Sequence, residues 1–405
     1  MFVKKKTQTL LITWCCLFCA LLFIPSNTLA LEANGELSVQ GFLFLQDGAW
    51  PHQENKSAAV AGNLELYHEV LDNFRFTLEA FYRVDSVDNE RTHGDLRIAE
   101  FLYFTGNWEI TFGLGRVFWG ATEFVHLVDI INQTDQVEAV DGEEKLGQPM
   151  VHLTVPRDWG VLEALILPWF RERTFPGTNG RFRTPLPVDT DQTVYENDAE
   201  QQHTDLAIRY STTLGDTDLG LYYFNGTARD PVLLFSNNPG TDAILYPYYE
   251  HIGQSGLDLQ MVAGDWLFKA EAYYRIGQSR SYAATTFGFE YTLVGIAESM
   301  MDLGLIGEYV YDDRDDGWLP TIYENDIMAG LRLAVNDMDD SNILFGVIRD
   351  IHSGSTIIAV EASRRLGESI RLNLDTSFFI NMDTEDPAFS FAKDDFIKLE
   401  VVWYW

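Results

Sequence analysis

The chain has 405 residues, with 61 Asp or Glu against 28 Lys or Arg and a formal net charge of −33. So acidic a protein excludes nucleic acid as a partner. Aromatic residues reach 14%, yet beyond residue 30 no apolar run approaches the ~18 residues of a membrane-spanning helix, which excludes a helical membrane protein.

The first element is a leader. Lys4, Lys5 and Lys6 precede an apolar run from Leu10 to Ile24, Pro25 and Ser26 break it, and Thr28-Leu29-Ala30 offers a small-residue cleavage site. Residues 1–30 read as a secretory signal peptide and 31–405 as a single mature domain. Cys15, Cys16 and Cys19 all lie in the leader, so the exported chain forms no disulfide and needs another source of stability. Losing the three leader lysines takes the net charge from −33 to −36.

After the leader, apolar and polar residues alternate over segments of about nine to eleven residues, the length of a tilted membrane strand. In 370–378, Ile370, Leu372, Leu374 and Phe378 alternate with Arg371, Asn373, Asp375 and Ser377. In 268–275, Phe268, Ala270, Ala272 and Tyr274 alternate with Lys269, Glu271, Tyr273 and Arg275. No helical period suits these segments. The pattern predicts strands near 36–46, 59–69, 74–84, 94–104, 108–117, 149–156, 161–169, 203–213, 217–225, 254–262, 266–276, 282–293, 302–312, 325–334, 341–350, 354–364, 368–380 and 396–405. This is an all-β, transmembrane antiparallel barrel of about 18 strands, with 16 as the fallback.

The connections form a second pattern. Those after residues 70, 104, 156, 213, 262, 334 and 364 are short, whereas 47–58, 85–93, 118–148, 170–202, 226–253, 313–324 and 381–395 are long. Short periplasmic turns alternating with long outer loops are the habit of outer-membrane barrels. Phe74, Trp108, Trp159 and Trp266 fall beside short turns, and Trp119, Trp169 and Trp318 beside long loops, which predicts an inner and an outer aromatic girdle. No plug domain precedes the first strand.

The loop 118–148 opens on apolar residues, and Phe124, Leu127, Val128 and Ile131 suit one face of a short helix starting near Thr122. We expect it to fold inward as a constriction, with Glu123, Phe124, Leu127, Asp129, Ile131, Asp135 and Glu138 as its candidate residues. Opposite it, Arg75, Arg83, Arg97, Arg209, Lys269, Arg275, Arg371 and Lys398 occupy polar strand positions and form a basic lumen wall. Opposed rows of charge would set up a transverse field. The bland alternative is that these cations pair with wall carboxylates. In 170–202, Arg171, Arg173, Arg181 and Arg183 form either a carboxylate site or a latch to neighbouring acidic loops or lipopolysaccharide phosphates.

Metal and catalytic readings fail. Acid-rich turns such as 312–317 put Arg314 at the third position of a calcium loop and Tyr323 at the twelfth, so we expect no metal. The eight histidines show no ligand spacing, and nothing orients His352 beside Ser353 as a triad would require. We expect no catalytic residue, no cofactor and no enzyme.

The terminal segment has Leu399, Val401, Trp403 and Trp405 on one face and Lys398, Glu400 and Tyr404 on the other. It resembles the C-terminal signal read by the barrel-assembly machinery. The runs 116–135, 167–177 and 225–231 resemble a poorly characterised porin-like family of Gram-negative outer-membrane proteins. The resemblance implies an outer-membrane location and contact with lipid and lipopolysaccharide, and leaves a homo-trimer open. The function expected is a channel for passive diffusion of small hydrophilic solutes, preferring cations. Two alternatives stand beside it: a barrel partnering an inner-membrane exporter of apolar molecules or lipids, and a sealed structural or adhesive barrel.

Overall fold

A computed structural model of the chain describes residues 31–138, 142–237, 243–278, 280–314 and 317–405. Its strands in chain order are β1 (Leu31–Phe44), β2 (Lys56–Leu71), β3 (Phe74–Asp85), β4 (Gly94–Phe104), β5 (Glu109–Gly115), β6 (Gln148–Arg157) and β7 (Gly160–Leu167). They continue with β8 (Val194–Tyr195), β9 (Asp205–Leu214), β10 (Thr217–Thr227), β11 (Val232–Ser236), β12 (Ile244–Tyr249), β13 (His251–Ala263) and β14 (Trp266–Ile276). The last seven are β15 (Tyr282–Leu293), β16 (Asp302–Asp312), β17 (Asn325–Ala334), β18 (Asn342–Asp350), β19 (Thr356–Leu366), β20 (Ile370–Ile380) and β21 (Phe396–Tyr404).

Eighteen of these form one antiparallel sheet. β21 pairs with β1, with Val401 opposite Val39 and Leu399 opposite Gly41, so the sheet closes and no edge is left unpaired. Each predicted strand is present, including 148–157. Among the described residues the only helices are short 3-10 turns, and no helix is long and apolar enough to cross a membrane.

Alternation explains the two surfaces of the barrel. Val39, Tyr82, Ile208, Phe287, Ile327, Phe345 and Leu399 are exposed on the outside. Inward positions carry Arg83, Arg97, Arg209, Glu271, Arg275 and Glu308, each under 9% exposed. A water-facing outer wall would not tolerate so many large apolar residues; hydrocarbon does. At the short-turn end Trp108, Trp159, Trp266, Trp403 and Trp405 are exposed. Trp405 lies across Gly35, where any β-carbon would strike its indole ring.

The outer girdle needs correction. Trp169 is exposed, but Trp119 is 3% exposed and packs tilted against Tyr222 with centroids 5.1 Å apart. Trp318 packs on a cluster containing Val232, Tyr273 and Leu319. Both belong to loops that turn inward, so proximity to a strand end does not place them at the lipid interface. The long loops also form a sheet of their own, in which β12 pairs antiparallel with β11 and parallel with β8.

Candidate functional site: a loop across the lumen

The expected helix near Thr122 is absent, because its backbone amides go elsewhere. Glu271 of β14 accepts from the amides of Ala121 (2.6 Å), Thr122 (3.0 Å) and Val128 (3.2 Å) and from the Thr122 hydroxyl (2.7 Å). Glu308 of β16 accepts from the amides of Glu123 (2.7 Å) and Phe124 (3.0 Å). These are charge-assisted bonds between a buried carboxylate and backbone donors, the strong kind. They replace the i→i−4 ladder a helix would make, so the segment runs as an irregular arm with a turn at 127–128.

The four apolar residues therefore do not share one face. Val128 and Ile131 are fully buried with Trp119, Ile130, Met150, Leu165, Leu167, Phe224 and Ile252, between the loop and the wall of β6, β7, β10 and β13. Leu127 packs instead on the cluster around Val232 and Leu319. Burying Trp119, Val128, Ile130 and Ile131 contributes roughly 1.5–3 kcal/mol each before entropy is counted. The base of the arm is held by this burial and its tip by carboxylates.

Phe124 marks how far the arm reaches. A methyl group at Gly330 of β17 or at Gly346 of β18 would come within 3.1 Å or 3.0 Å of its ring. β17 stands nine places from β5 around the closed sheet, and β18 nine from β6. The arm leaves the wall at β5, passes the inner faces of β10, β14 and β16, and reaches the strands diametrically opposite its root.

The predicted cations divide into two groups. Four meet loop 118–148 directly. Arg83 holds Glu138 at 2.8 Å. Arg97 lies 2.6 Å from Asp135, a close ion pair not aligned as a hydrogen bond. Lys269 reaches Glu123 at 3.4 Å. Arg209 sits over the Trp119 ring at 5.2 Å and grips Asp258 in bidentate fashion at 2.6 and 2.9 Å. Loop acids and wall cations thus meet at contact distance, without an aqueous gap across which a field would act. The others pair elsewhere: Arg75 with Glu69, Arg371 with Asp340 of a short turn, Lys398 with Asp375, and Arg275 with Gln254, Gln278 and Tyr282. Asp129 pairs with Lys145 of its own loop.

Glu138 also accepts from His93 at 2.8 Å. Burial acts to raise its carboxyl, but His93, Arg83 and Arg91 outweigh that and bring it down from 4.5 to about 2.

Each arginine of 170–202 braces the loops. Arg171 forks onto Asp95 at 2.7 and 3.4 Å. Arg173 pairs with Asp230 at 2.6 Å, and Arg181 with Asp394 at 2.6 Å. Arg183 donates to the carbonyls of Thr178, Thr184 and Pro185.

Periodicity alone did not single out Glu271, Glu308, Arg229, Asp230 or Arg332. Arg229 is buried, pairs with Asp205 at 2.8 Å and donates to the Ile131 carbonyl. Arg332 joins Glu123 and Glu290. Alternation does put Glu271 and Glu308 on the inner face, but not beneath a particular loop.

Two cavities border the arm, and Phe124, Phe182 and Phe391 line both. One, about 910 Å³, is lined by Arg173, Asp230, Arg275 and Arg314 together with Tyr273 and Trp318. Burial would raise the Asp230 carboxyl, but Arg173, Arg275 and Arg314 hold it well below the usual range. The other, about 580 Å³, lies against β18–β21 and β1.

Comparison with solved structures shows the porin-like barrel fold. OccAB3 of Acinetobacter baumannii is 10% identical with a TM-score of 0.52, covering 92% of this chain and 99% of that one. A BenF-like porin from Pseudomonas fluorescens is 10% identical with a TM-score of 0.52, covering 92% and 98%. Wzi of Escherichia coli, a carbohydrate-binding barrel involved in capsule assembly, is 9% identical with a TM-score of 0.52, covering 90% and 83%. No match was found among curated protein sequences. Residues 74–383 match the family described as protein of unknown function DUF1302, and the chain belongs to that family.

Proposed function

We propose that the protein is an outer-membrane channel for passive diffusion of small hydrophilic solutes, narrowed by loop 118–148, and not an enzyme. The observation that carries this reading is the arm pinned by Glu271 and Glu308 across a closed barrel. Barrels of 16–18 strands are wide enough for an aqueous channel, and an arm of this kind sets the size of what passes beside it. In this reading residues 1–30 are removed on export and the barrel-assembly machinery inserts the chain through β21. A net charge of −36 beyond the leader raises the local concentration of cations at the mouths, which supports a cation preference. Planar-bilayer recording tests both parts. Stepwise conductance with a cation-selective reversal potential in a salt gradient is expected. Silent barrels would overturn the channel, and an anion-selective potential would overturn the preference.

A further inference from the structure

The second cavity is bordered by an apolar patch of the inner wall. On β18, Leu344 and Ile348 face inward while Ile343 and Phe345 face out. On β19, Ile357 and Ala359 face inward beside Ile358 and Val360 facing out. Register places Ile348 opposite Ile357, and Ile357 opposite Phe379 of β20. Strands apolar on both faces belong where both faces are covered by apolar matter. Lipid covers the outside. Inside, Phe124 covers Gly346, while Leu344, Ile348 and Ile357 remain only half-buried and border the cavity. Seven phenylalanines line it, among them Phe182 and Phe391, which hang from the outer loops at centroids 6.4 Å apart.

The charges around this cavity select against anions. Its cations are held by protein carboxylates: Arg91 by Asp85 at 2.8 Å, Arg181 by Asp394 at 2.6 Å and Lys398 by Asp375 at 2.5 Å. Glu54, Asp88, Glu143 and Glu361 lie on the same lining, so an anion meets net negative charge. About 580 Å³ is within the range of small-molecule pockets, which bury most of a compact ligand against apolar walls.

We propose that this cavity is a binding site for an uncharged, compact apolar solute carrying aromatic or alicyclic rings, lying against Leu344, Ile348 and Ile357 under Phe182 and Phe391. The proposal rests on the lumen being a solute path and names a substrate class that a purely hydrophilic channel would not hold. Every apolar ångström of the half-buried wall that the solute covers is removed from water at about 25 cal/mol per Å², and no ion pair has to break.

The test is equilibrium binding of 1-naphthol to the mature barrel in lipid nanodiscs, with protein-free nanodiscs to subtract partitioning. Two variants probe the site from opposite directions. Leu344→Asn with Ile357→Asn makes the wall polar, and Ala359→Phe fills the space while keeping it apolar. Saturable binding of one 1-naphthol per barrel is expected for the native chain, weakened at least tenfold in both variants, with each variant keeping the compact gel migration of a folded barrel. Absence of a saturable component, or equal binding by the native chain and either folded variant, overturns the proposal. Conductance of the same preparations separates it from the channel reading. Barrels that conduct without binding 1-naphthol overturn only this proposal, and barrels that bind it without conducting overturn only the channel.

Discussion

The two sides of the arm were built by opposite means. In the larger cavity, charges are kept and neutralised: Asp230 sits among Arg173, Arg275 and Arg314, and Asp312 pairs with Arg314 at 2.6 Å. In the smaller one, Glu361, Asp375 and Lys398 share the wall with an apolar patch of Leu344, Ile348 and Ile357. A general aqueous pore has no need of such an asymmetry, because a single polar lining would serve both halves. The two linings share Phe124, Phe182 and Phe391, and in the proposed channel the arm stands between them. It ends on Gly330 and Gly346, where the wall lacks side chains and the Phe124 ring can close against backbone.

The arm can be perturbed at its tip, its root and its terminal ring. The largest effect is expected at the tip. Glu271→Gln with Glu308→Gln swaps ionic acceptors for weaker neutral ones beneath six donors. It should loosen the arm by about 2–4 kcal/mol and raise single-channel conductance at least threefold. Unchanged conductance would mean that the arm does not narrow the path.

At the root, acid should act through Glu138. Its folded value of about 2 lies below the ordinary 4.5. The stability it contributes is therefore fully present above pH 4.5 and is lost as the pH falls toward about 2. The difference corresponds to about 3 kcal/mol. Protease cleavage within loop 118–148 should stay constant from pH 7 to about 4.5 and rise below it, while Glu138→Gln should be cleaved readily already at pH 7. Equal cleavage of the two proteins at every pH would remove Glu138 from the anchoring of the loop.

The smallest effect is expected at the ring. Phe124→Ala leaves the Glu271 and Glu308 bonds intact, since those are made by backbone amides and the Thr122 hydroxyl, and removes one ring common to both cavities. Conductance should rise less than twofold, with 1-naphthol binding weakened because one wall of its site is lost. A rise as large as that of the double Gln variant would show that the ring, and not the pinned backbone, is the constriction.

Most of the barrel was legible in the sequence because its signal is local. Alternation every second residue fixes the strands and their faces, and it placed Lys269, Glu271 and Arg275 together on the inner face of β14. The loops were legible only in length. The bond from Thr122 to Glu271 spans 149 residues, and no period connects its two ends. The same cause explains the helix predicted near Thr122: Phe124, Leu127, Val128 and Ile131 have helical spacing, but the amides of Phe124 and Val128 found carboxylates on a distant wall. The two-residue parallel pairing of β8 with β12 likewise leaves no periodic trace. The arginines of 170–202 could be recognised as bracing or binding groups, but only the folded loops show each one matched to a partner.

The central claim is that the arm reaches the wall opposite its root, and a cysteine pair tests it most directly. The cysteines of the chain are Cys15, Cys16 and Cys19, all before residue 30, so Phe124→Cys and Gly346→Cys introduced together into residues 31–405 would be the only thiols there. With the barrel in native outer membranes, a short bis-maleimide should join them and shift the gel mobility of the denatured chain, while neither single cysteine gives the shifted species. If both thiols are alkylated singly and no cross-link forms, the arm does not reach the opposite wall, and its place between the two cavities is wrong.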